Sequence, residues 1–241
     1  MSKKINVMIP LAGTNPLFPI SDFPFSKPLI EIDGKPIIQL TIENLQSIDR
    51  EIHFIFLVKV EDCKKYFLDQ VLRILTDDQS TIIKISNDTK GAACSALLAI
   101  DEIDNDIPLI ISNGDQILRE DLNSIIDYLS TFDAGVVSTT SIHPRWSFIR
   151  TEGNEVVETA EKRPISKDAI AGVFYYRKGS YFVKSAMEMI KKDANYNGMY
   201  YISSTINELI LENKRIGFKK IPIEKYDCFY SPEKIKEYEN R

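Results

Sequence analysis

Along the first half of the chain, short apolar runs alternate with segments whose apolar positions recur every three to four residues. Residues 5–11, 53–58, 81–86 and 108–112 are the apolar runs, the pattern of strands buried on both faces. Residues 36–46 carry Ile37, Ile38, Leu40, Ile42 and Leu45 as a helical stripe. Residues 61–75 do the same with Phe67, Leu68, Val71, Leu72 and Leu75, and residues 91–103 read as a further helix rich in Ala and Leu. Strand–helix alternation of this kind predicts βαβ units and a largely parallel sheet.

The second half is less regular. Residues 135–141 and 171–177 read as strands, and residues 178–192 as a helix. Strands at 147–151 and 156–159 flank Glu152-Gly153-Asn154, which predicts a hairpin. Thr205 and Glu208 fit a capping box for a helix opening at Ser204. Residues 217–223 give a last strand, and Ser231-Pro232 an N-cap and N1 proline before a final polar helix. No repeat, low-complexity tract or linker breaks the pattern. One α/β domain over residues 1–241 is expected, its second half adding antiparallel strands to the first.

Composition narrows the function classes. Of the 241 residues 44% are apolar and 27% charged, enough for a sizeable core, which excludes wholesale disorder. Thirty basic residues against thirty-five acidic ones leave a net charge of −5. That argues against an electrostatic grip on nucleic acid, but one locally positive pocket can still hold a small anion. Cys63, Cys94 and Cys228 are odd in number and far apart, which suggests a reducing cytosol. With only His53 and His143, a zinc site or a Ser-His-Asp triad is not expected. The N-terminus lacks a signal-peptide pattern, and no run approaches the ~18 apolar residues of a membrane span. A cytoplasmic protein without membrane insertion is therefore expected.

In a parallel sheet, ligands collect beyond the carboxyl ends of the strands. Two stretches are candidates on that ground: residues 13–27 after the first strand, and Asn113-Gly114-Asp115 after the fourth. Neither a GxxxxGK[ST] loop nor a GxGxxG is present. Gly13 permits a tight turn or close approach to a ligand, and Pro16, Pro19, Pro24 and Pro28 stiffen the loop. Lys27 reads either as a point charge for phosphate oxygens or as a solvated loop lysine. Asp115 reads either as a Mg²⁺ carboxylate shared with phosphate or as an Asx-turn residue.

The small side chains of Gly91-Ala92-Ala93 either admit a flat ring or pack a helix tightly. Cys94 belongs to that packing, since no histidine is placed to activate it. Glu161-Lys162-Arg163-Pro164 reads as a contact to a polar substrate or as a charged loop. Asp227 is a candidate second metal carboxylate or a turn residue. Trp146 reads as an anchor, and His143 as a loop histidine.

Taken in order, these segments resemble the sugar-phosphate nucleotidyltransferases, also called sugar-nucleotide pyrophosphorylases. The resemblance is closest to a branch found in bacterial capsule and surface-polysaccharide gene clusters. Ile9-Pro10-Leu11-Ala12-Gly13 matches the family's opening strand and glycine. Ser26-Lys27-Pro28-Leu29-Ile30 and Asp33-Gly34-Lys35-Pro36-Ile37 match its PKPL and GKP signature. Gly91-Ala92-Ala93-Cys94 resembles the segment against the nucleotide base, and Asn113-Gly114-Asp115-Gln116 the metal-binding aspartate segment. Glu161-Lys162 and Ala171-Gly172-Val173-Phe174-Tyr175 resemble the sugar-side glutamate and the strand after it. Ser231-Pro232-Glu233 resembles the end of a GTPED-like motif.

The resemblance implies a Rossmann-like nucleotidyltransferase fold akin to the GT-A class, with a mixed, mostly parallel central sheet flanked by helices. It implies a reaction of an NTP with a sugar phosphate, or a similar phosphate ester, that yields an NDP-sugar and pyrophosphate for surface-polysaccharide precursors. Lys27 and Asp115 would be catalytic, with Mg²⁺ held by Asp115 and Asp227. Leu11, Ala12, Gly13, Thr14, Asn15, Gly91, Ala92 and Gly114 would bind the nucleotide. Glu161, Lys162 and Gly172 would bind the sugar phosphate. A homo-oligomer is left open, and so are the base and the acceptor.

One departure stands out. The family's loop reads G-x-G-[ST]-R-[FL], whereas here it reads Gly13-Thr14-Asn15-Pro16-Leu17-Phe18. Asn15 replaces the second glycine, Leu17 replaces the arginine that grips pyrophosphate, and Pro16 removes an amide donor. Lys35 and Arg163 are the cations offered as substitutes. The alternatives to an active transferase are a catalytically impaired nucleotide- or metabolite-binding regulator and a GT-A-type glycosyltransferase.

Overall fold

The computed structural model of the protein describes residues 3–13, 16–19 and 21–241. From the amino end, β1 (Lys4–Pro10) leads through the short β2 (Glu31–Ile32) and β3 (Lys35–Pro36) into α1 (Ile37–Leu45). Then come β4 (Glu51–Lys59), α2 (Val60–Tyr66), α3 (Leu68–Leu75), β5 (Ser80–Ile85), α4 (Ala92–Leu97), α5 (Ile100–Ile103) and β6 (Leu109–Ser112). The second half holds β7 (Gln116–Leu118), α6 (Leu122–Leu129), β8 (Ala134–Thr140), β9 (Ser147–Glu152), β10 (Glu155–Glu161) and β11 (Asp168–Tyr176). It ends with α7 (Gly179–Lys191), α8 (Ile202–Leu211), β12 (Ile216–Lys220), β13 (Tyr226–Cys228) and α9 (Pro232–Glu239).

The main sheet has the strand order β5-β4-β1-β6-β11-β8-β12-β10-β9. It is mixed, as expected. Parallel ladders join β5, β4, β1 and β6, and also β8 and β12. Antiparallel ladders set β11 between β6 and β8 and carry β10 and β9 to the far edge. The two kinds of ladder are balanced across the whole sheet, and the parallel majority belongs to the first half. A second, two-stranded sheet pairs β7 with β13.

Strand period explains the unbroken apolar runs. Ile5, Val7 and Ile9 of β1 face one core with Phe54, Phe56 and Val58 of β4. Met8, Ile55 and Leu57 face the opposite core. Successive side chains of a strand point to opposite faces, so a strand covered on both sides must be apolar at every position. A third, smaller cluster holds Phe18, Ile32, Ile37, Phe229 and Ile235. It fastens the loop after β1 between α1 and the C-terminal α9.

Several elements differ from the sequence pattern. The helix expected over 61–75 is two helices, because Phe67 takes a left-handed conformation (φ 55°) and caps α2. Its ring is 58% exposed rather than part of the apolar stripe, and the break lets Leu68 and Leu72 reach the core. The helix expected over 91–103 breaks at Leu98 and Ala99 into α4 and α5. The Thr205–Glu208 capping box does not form, because α8 begins at Ile202, one turn earlier. Thr205 instead bonds the Ile202 carbonyl and the buried Tyr176 hydroxyl, and Glu208 pairs with Lys192. The hairpin at Gly153 forms as expected, with that glycine at φ 58°.

Gly91 shows how tightly the first half meets the second. Its φ is +109°, and an added Cβ would lie 2.3 Å from the Tyr200 carbonyl oxygen. The surface hairpin residue Gly153 also has positive φ but open space around it. Gly91→Ala is therefore expected to cost roughly 2 kcal/mol or more, against ~1 kcal/mol for Gly153→Ala. At about 2–4 °C per kcal/mol for this chain length, thermal unfolding should separate the two variants clearly. Equal melting temperatures would show that the Gly91 contact yields without strain.

Candidate active site

The carboxyl ends of β1 and β6 lie side by side, because β1 and β6 are adjacent parallel strands. The chain leaves β1 through Leu11, whose amide donates to the Leu57 carbonyl at 2.8 Å and prolongs the ladder with β4. It leaves β6 through Asn113, Gly114 and Asp115. Gly114 is buried against this exit: an added Cβ would come within 2.3 Å of the Leu11 side chain and 2.9 Å of Ile9. Only a residue without a side chain lets the two exits touch.

Between them opens a cleft of about 200 Å³, lined by Pro10, Leu11, Gly13, Lys27, Pro28, Asn113, Gly114 and Asp115. Lys27 starts a single 3₁₀ turn, Lys27–Leu29, with Pro28 at its first positions. Its ammonium ion-pairs with the Asp115 carboxylate across 88 residues of sequence, with the two side chains 19% and 20% exposed. The same ammonium lies 5.3 Å from the centre of the Phe18 ring. Lys27, Asp115, Gly13, Gly114 and Leu11 are therefore brought together, and Ala12 packs beside them onto the core. Thr14 and Asn15 lie outside the described residues.

Beyond Asp115 a buried amide organises the wall. The Gln116 side chain donates to the Gly172 carbonyl at 3.1 Å and accepts from the Tyr226 hydroxyl at 2.9 Å. Thr41 of α1 holds the Gln116 backbone. Gly172 sits at φ +60° in an irregular stretch of β11, and a Cβ there would strike Gln116 and Asn113. Its place is structural contact with the Asp115 segment. Gly91 and Ala92 open α4 against the Tyr200 backbone, with Gly91 buried. Cys94 packs on the core, and burial raises its thiol pKa.

Asp227 is not brought to Asp115. Neighbouring residues of a strand face opposite ways, and on β13 it is Cys228 that lies on the side of Asp115. Burial, and next the charge of Asp115, push the Cys228 thiol far up, while Lys27 opposes them. The Asp227 carboxylate, 3% exposed, is held by Arg119 at 3.1 Å and by Arg241. The substitutes offered for the missing loop arginine are engaged elsewhere, Lys35 with Glu43 at 2.8 Å and Arg163 with Glu158 at 3.2 Å. Leu17 is half exposed.

The remaining sequence candidates, Glu161 and Lys162, form a separate part of the structure, outside the lining of the cleft. Glu161, ending β10, accepts from Ser147 and, at 2.8 Å, from Ser203. Lys162 follows at φ 52° and donates to the Tyr201 hydroxyl at 2.7 Å, with its ammonium over the Tyr201 and Tyr196 rings. That hydrogen bond, with the nearby Glu161 charge, raises the Lys162 pKa and keeps it cationic. Trp146 links the two parts: its carbonyl accepts from the Lys162 amide at 3.0 Å and its ring packs on Tyr226. Cys228, Tyr226, Tyr196 and Tyr201 were not selected from the sequence. The alternation along 226–228 was the available signal for the first two.

An ammonium beside a carboxylate, each about four-fifths buried, at the mouth of the parallel strands and on a cleft, suits a phosphate-bearing ligand. Comparison with known proteins agrees. The family model described as nucleotidyl transferase matches residues 12–219. The chain is 27% identical over 194 residues to the bifunctional protein GlmU of Methanocaldococcus jannaschii, which covers 80% of this chain but only 44% of that relative's length. A nucleoside-diphosphate-sugar pyrophosphorylase from Vibrio cholerae RC9 superposes with a TM-score of 0.84 at 20% identity, over 98% of this chain and 100% of the other. The inositol-1-phosphate CTP transferase from T. maritima superposes with a TM-score of 0.71 at 12% identity, over 95% and 90%. The structural matches show the fold, and with the family model running from just after β1 into β12, over most of the chain, the chain belongs to the nucleotidyl transferase family.

Proposed function

We propose that the protein transfers a nucleotidyl group from an NTP to a sugar phosphate or a similar phosphate ester, releasing pyrophosphate, in the supply of surface-polysaccharide precursors. The observation that carries this reading is the Lys27–Asp115 pair on the cleft between β1 and β6. Such a reaction asks the protein for alignment and charge neutralisation rather than for a covalent partner. An oxygen of the acceptor phosphate forms a bond to the α-phosphorus, and the bond from that phosphorus to the pyrophosphate oxygen breaks. Lys27 places its ammonium against the negative charge that builds on the α-phosphate oxygens. The amides at the exit of β1 face the triphosphate, and Lys162 with Glu161 holds the phosphate and hydroxyls of the acceptor.

Mg²⁺ is the proposed cofactor. It is a hard cation, bound through one or two carboxylates plus substrate phosphates. Among the described residues that line the cleft, Asp115 is the only carboxylate, and no group of three acidic, His or Cys side chains forms a cage. That donor set fits an ion shared with the nucleotide, which would supply charge neutralisation there. The GlmU relative is bifunctional by name, and this chain spans less than half of it, so a second activity is not carried over.

Leu17 favours a second reading, a nucleotide-binding regulator without turnover, because the resemblance places a cation there. Two measurements separate the readings. In a panel of NTPs with sugar and polyol phosphates, pyrophosphate release is expected with one pairing, and chelation of Mg²⁺ should abolish it. Lys27→Ala and Asp115→Asn should each lower kcat by ~10²-fold or more, the usual effect of removing one preorganised charge partner. Nucleotide binding without pyrophosphate release from any pairing would select the regulator. Swapping the loop back should act in the opposite direction. Leu17→Arg is expected to tighten pyrophosphate as a product inhibitor by about tenfold, read as its inhibition constant against NTP. An unchanged constant would place residue 17 away from the triphosphate.

A further inference from the structure

A second cavity lies at the opposite end of the sheet from the Lys27–Asp115 cleft. Its volume is about 380 Å³. The amino ends of β1 and β6, the segment before β4 and the carboxyl end of the antiparallel β11 form its walls. β1 separates it from the cleft by about 20 Å, at ~3.3 Å per residue.

Basic side chains outnumber acidic ones in its lining. Lys4, Arg50, Arg177 and Lys178 line the cavity, against the single carboxylate of Asp106. Lys4 is held by Glu51 and Arg50 by Asp127. Lys178 pairs with Asp106 at 2.8 Å, but that aspartate is 79% exposed, and Arg177 is held by Asp133 only across 3.7 Å. A pair open to solvent or loosely closed contributes only ~0–1 kcal/mol, so Lys178 and Arg177 can turn to an anion on the cavity side.

A tyrosine in the cavity wall supplies the second, independent observation. Tyr175 is 2% exposed and lines the cavity. Its ring is packed away, and its hydroxyl bonds to no described residue and keeps solvent access, so its donor serves what fills the cavity. Burial raises the phenol pKa, with Arg177 and Arg50 near enough to oppose the shift, so the group is a neutral donor at physiological pH. Ile5, Pro108 and Ile126 add an apolar wall. The cavity thus offers a hydroxyl donor, two cations in exposed or loose pairs and one apolar side.

We propose that this cavity is a second binding site, for a small phosphorylated molecule whose phosphate is held by Arg177 and Lys178 and accepts a hydrogen bond from the Tyr175 hydroxyl. The site does not depend on the catalytic reading, and nothing in the cleft is needed to fill it.

Equilibrium dialysis with labelled pyrophosphate and with inorganic phosphate tests the proposal, using Lys27→Ala protein to remove the cation of the cleft. One site per chain should remain in that protein. Adding Arg177→Met should weaken it at least ~10-fold, and Lys178→Gln or Tyr175→Phe ~3–10-fold. Arg177 also donates to the Phe132 carbonyl, so Tyr175→Phe and Lys178→Gln carry the test if Arg177→Met misfolds. Tyr175→Phe has a distinct signature. Removing an unpartnered hydroxyl should leave the melting temperature of the ligand-free protein unchanged or raised while binding weakens. Absence of binding in Lys27→Ala protein would overturn the proposal, as would binding indifferent to Tyr175→Phe and Lys178→Gln.

Discussion

An ammonium and a carboxylate, each about four-fifths buried, face one another at the mouth of the sheet, and the arrangement of the first half follows from keeping them paired. A charge so nearly removed from water is costly unless it is matched. Lys27 reaches Asp115 only if the loop after β1 returns across the strand ends, and only if the exit from β6 comes close enough to meet it. Gly114 meets the second condition by letting its backbone rest on Leu11 and Ile9. Phe18, Ile32 and Ile37 meet the first, burying the root of the loop against Phe229 and Ile235. The C-terminal helix, distant in sequence, is thus part of what positions a residue near the amino end.

The same logic runs through the β7–β13 pair. Two three-residue strands have little stability of their own. They persist here because Gln116, at their start, is tied to Thr41, Gly172 and Tyr226. Satisfying the backbone and the side-chain amide of this one buried residue therefore fixes α1, β11 and β13 around Asp115. The positive φ at Gly172 is the local cost of bringing that carbonyl within reach of Gln116.

The sequence made most of this legible where the physics is local or strictly periodic. Doubly buried strands are apolar at nearly every position, so β1, β4 and β6 announce themselves, while the edge strand β5 shows only a shorter apolar run. Their order then marks the strand ends at which Lys27 and Asp115 meet. What stayed hidden depended on contacts between distant segments. The break at Phe67 is decided by which residues must reach the core beyond it, not by a Gly or Pro in the pattern. The start of α8 is decided by packing of Ile202, which overrides the Thr205–Glu208 spacing. α6 was missed for no such reason, since its signals are local: Asp121 caps it, and Leu122, Ile125, Ile126 and Leu129 form its stripe.

The exchange of Asp227 for Cys228 has a chemical consequence beyond numbering. A single residue of register on β13 turns a hard carboxylate away, into the guanidinium groups of Arg119 and Arg241, and leaves a thiol on the side of Asp115. The described lining of the cleft then carries one cation and one carboxylate, whose charges cancel. A triphosphate brings several negative charges to a surface that, so arranged, has no surplus positive charge to offer. On the proposed reading its charge must be met by cations that arrive with it, so occupancy by nucleotide and by divalent ion becomes one event rather than two. The rigid Lys27–Asp115 pair then serves as the template that waits for that event, and its mutual neutralisation is what keeps the cleft stable until then.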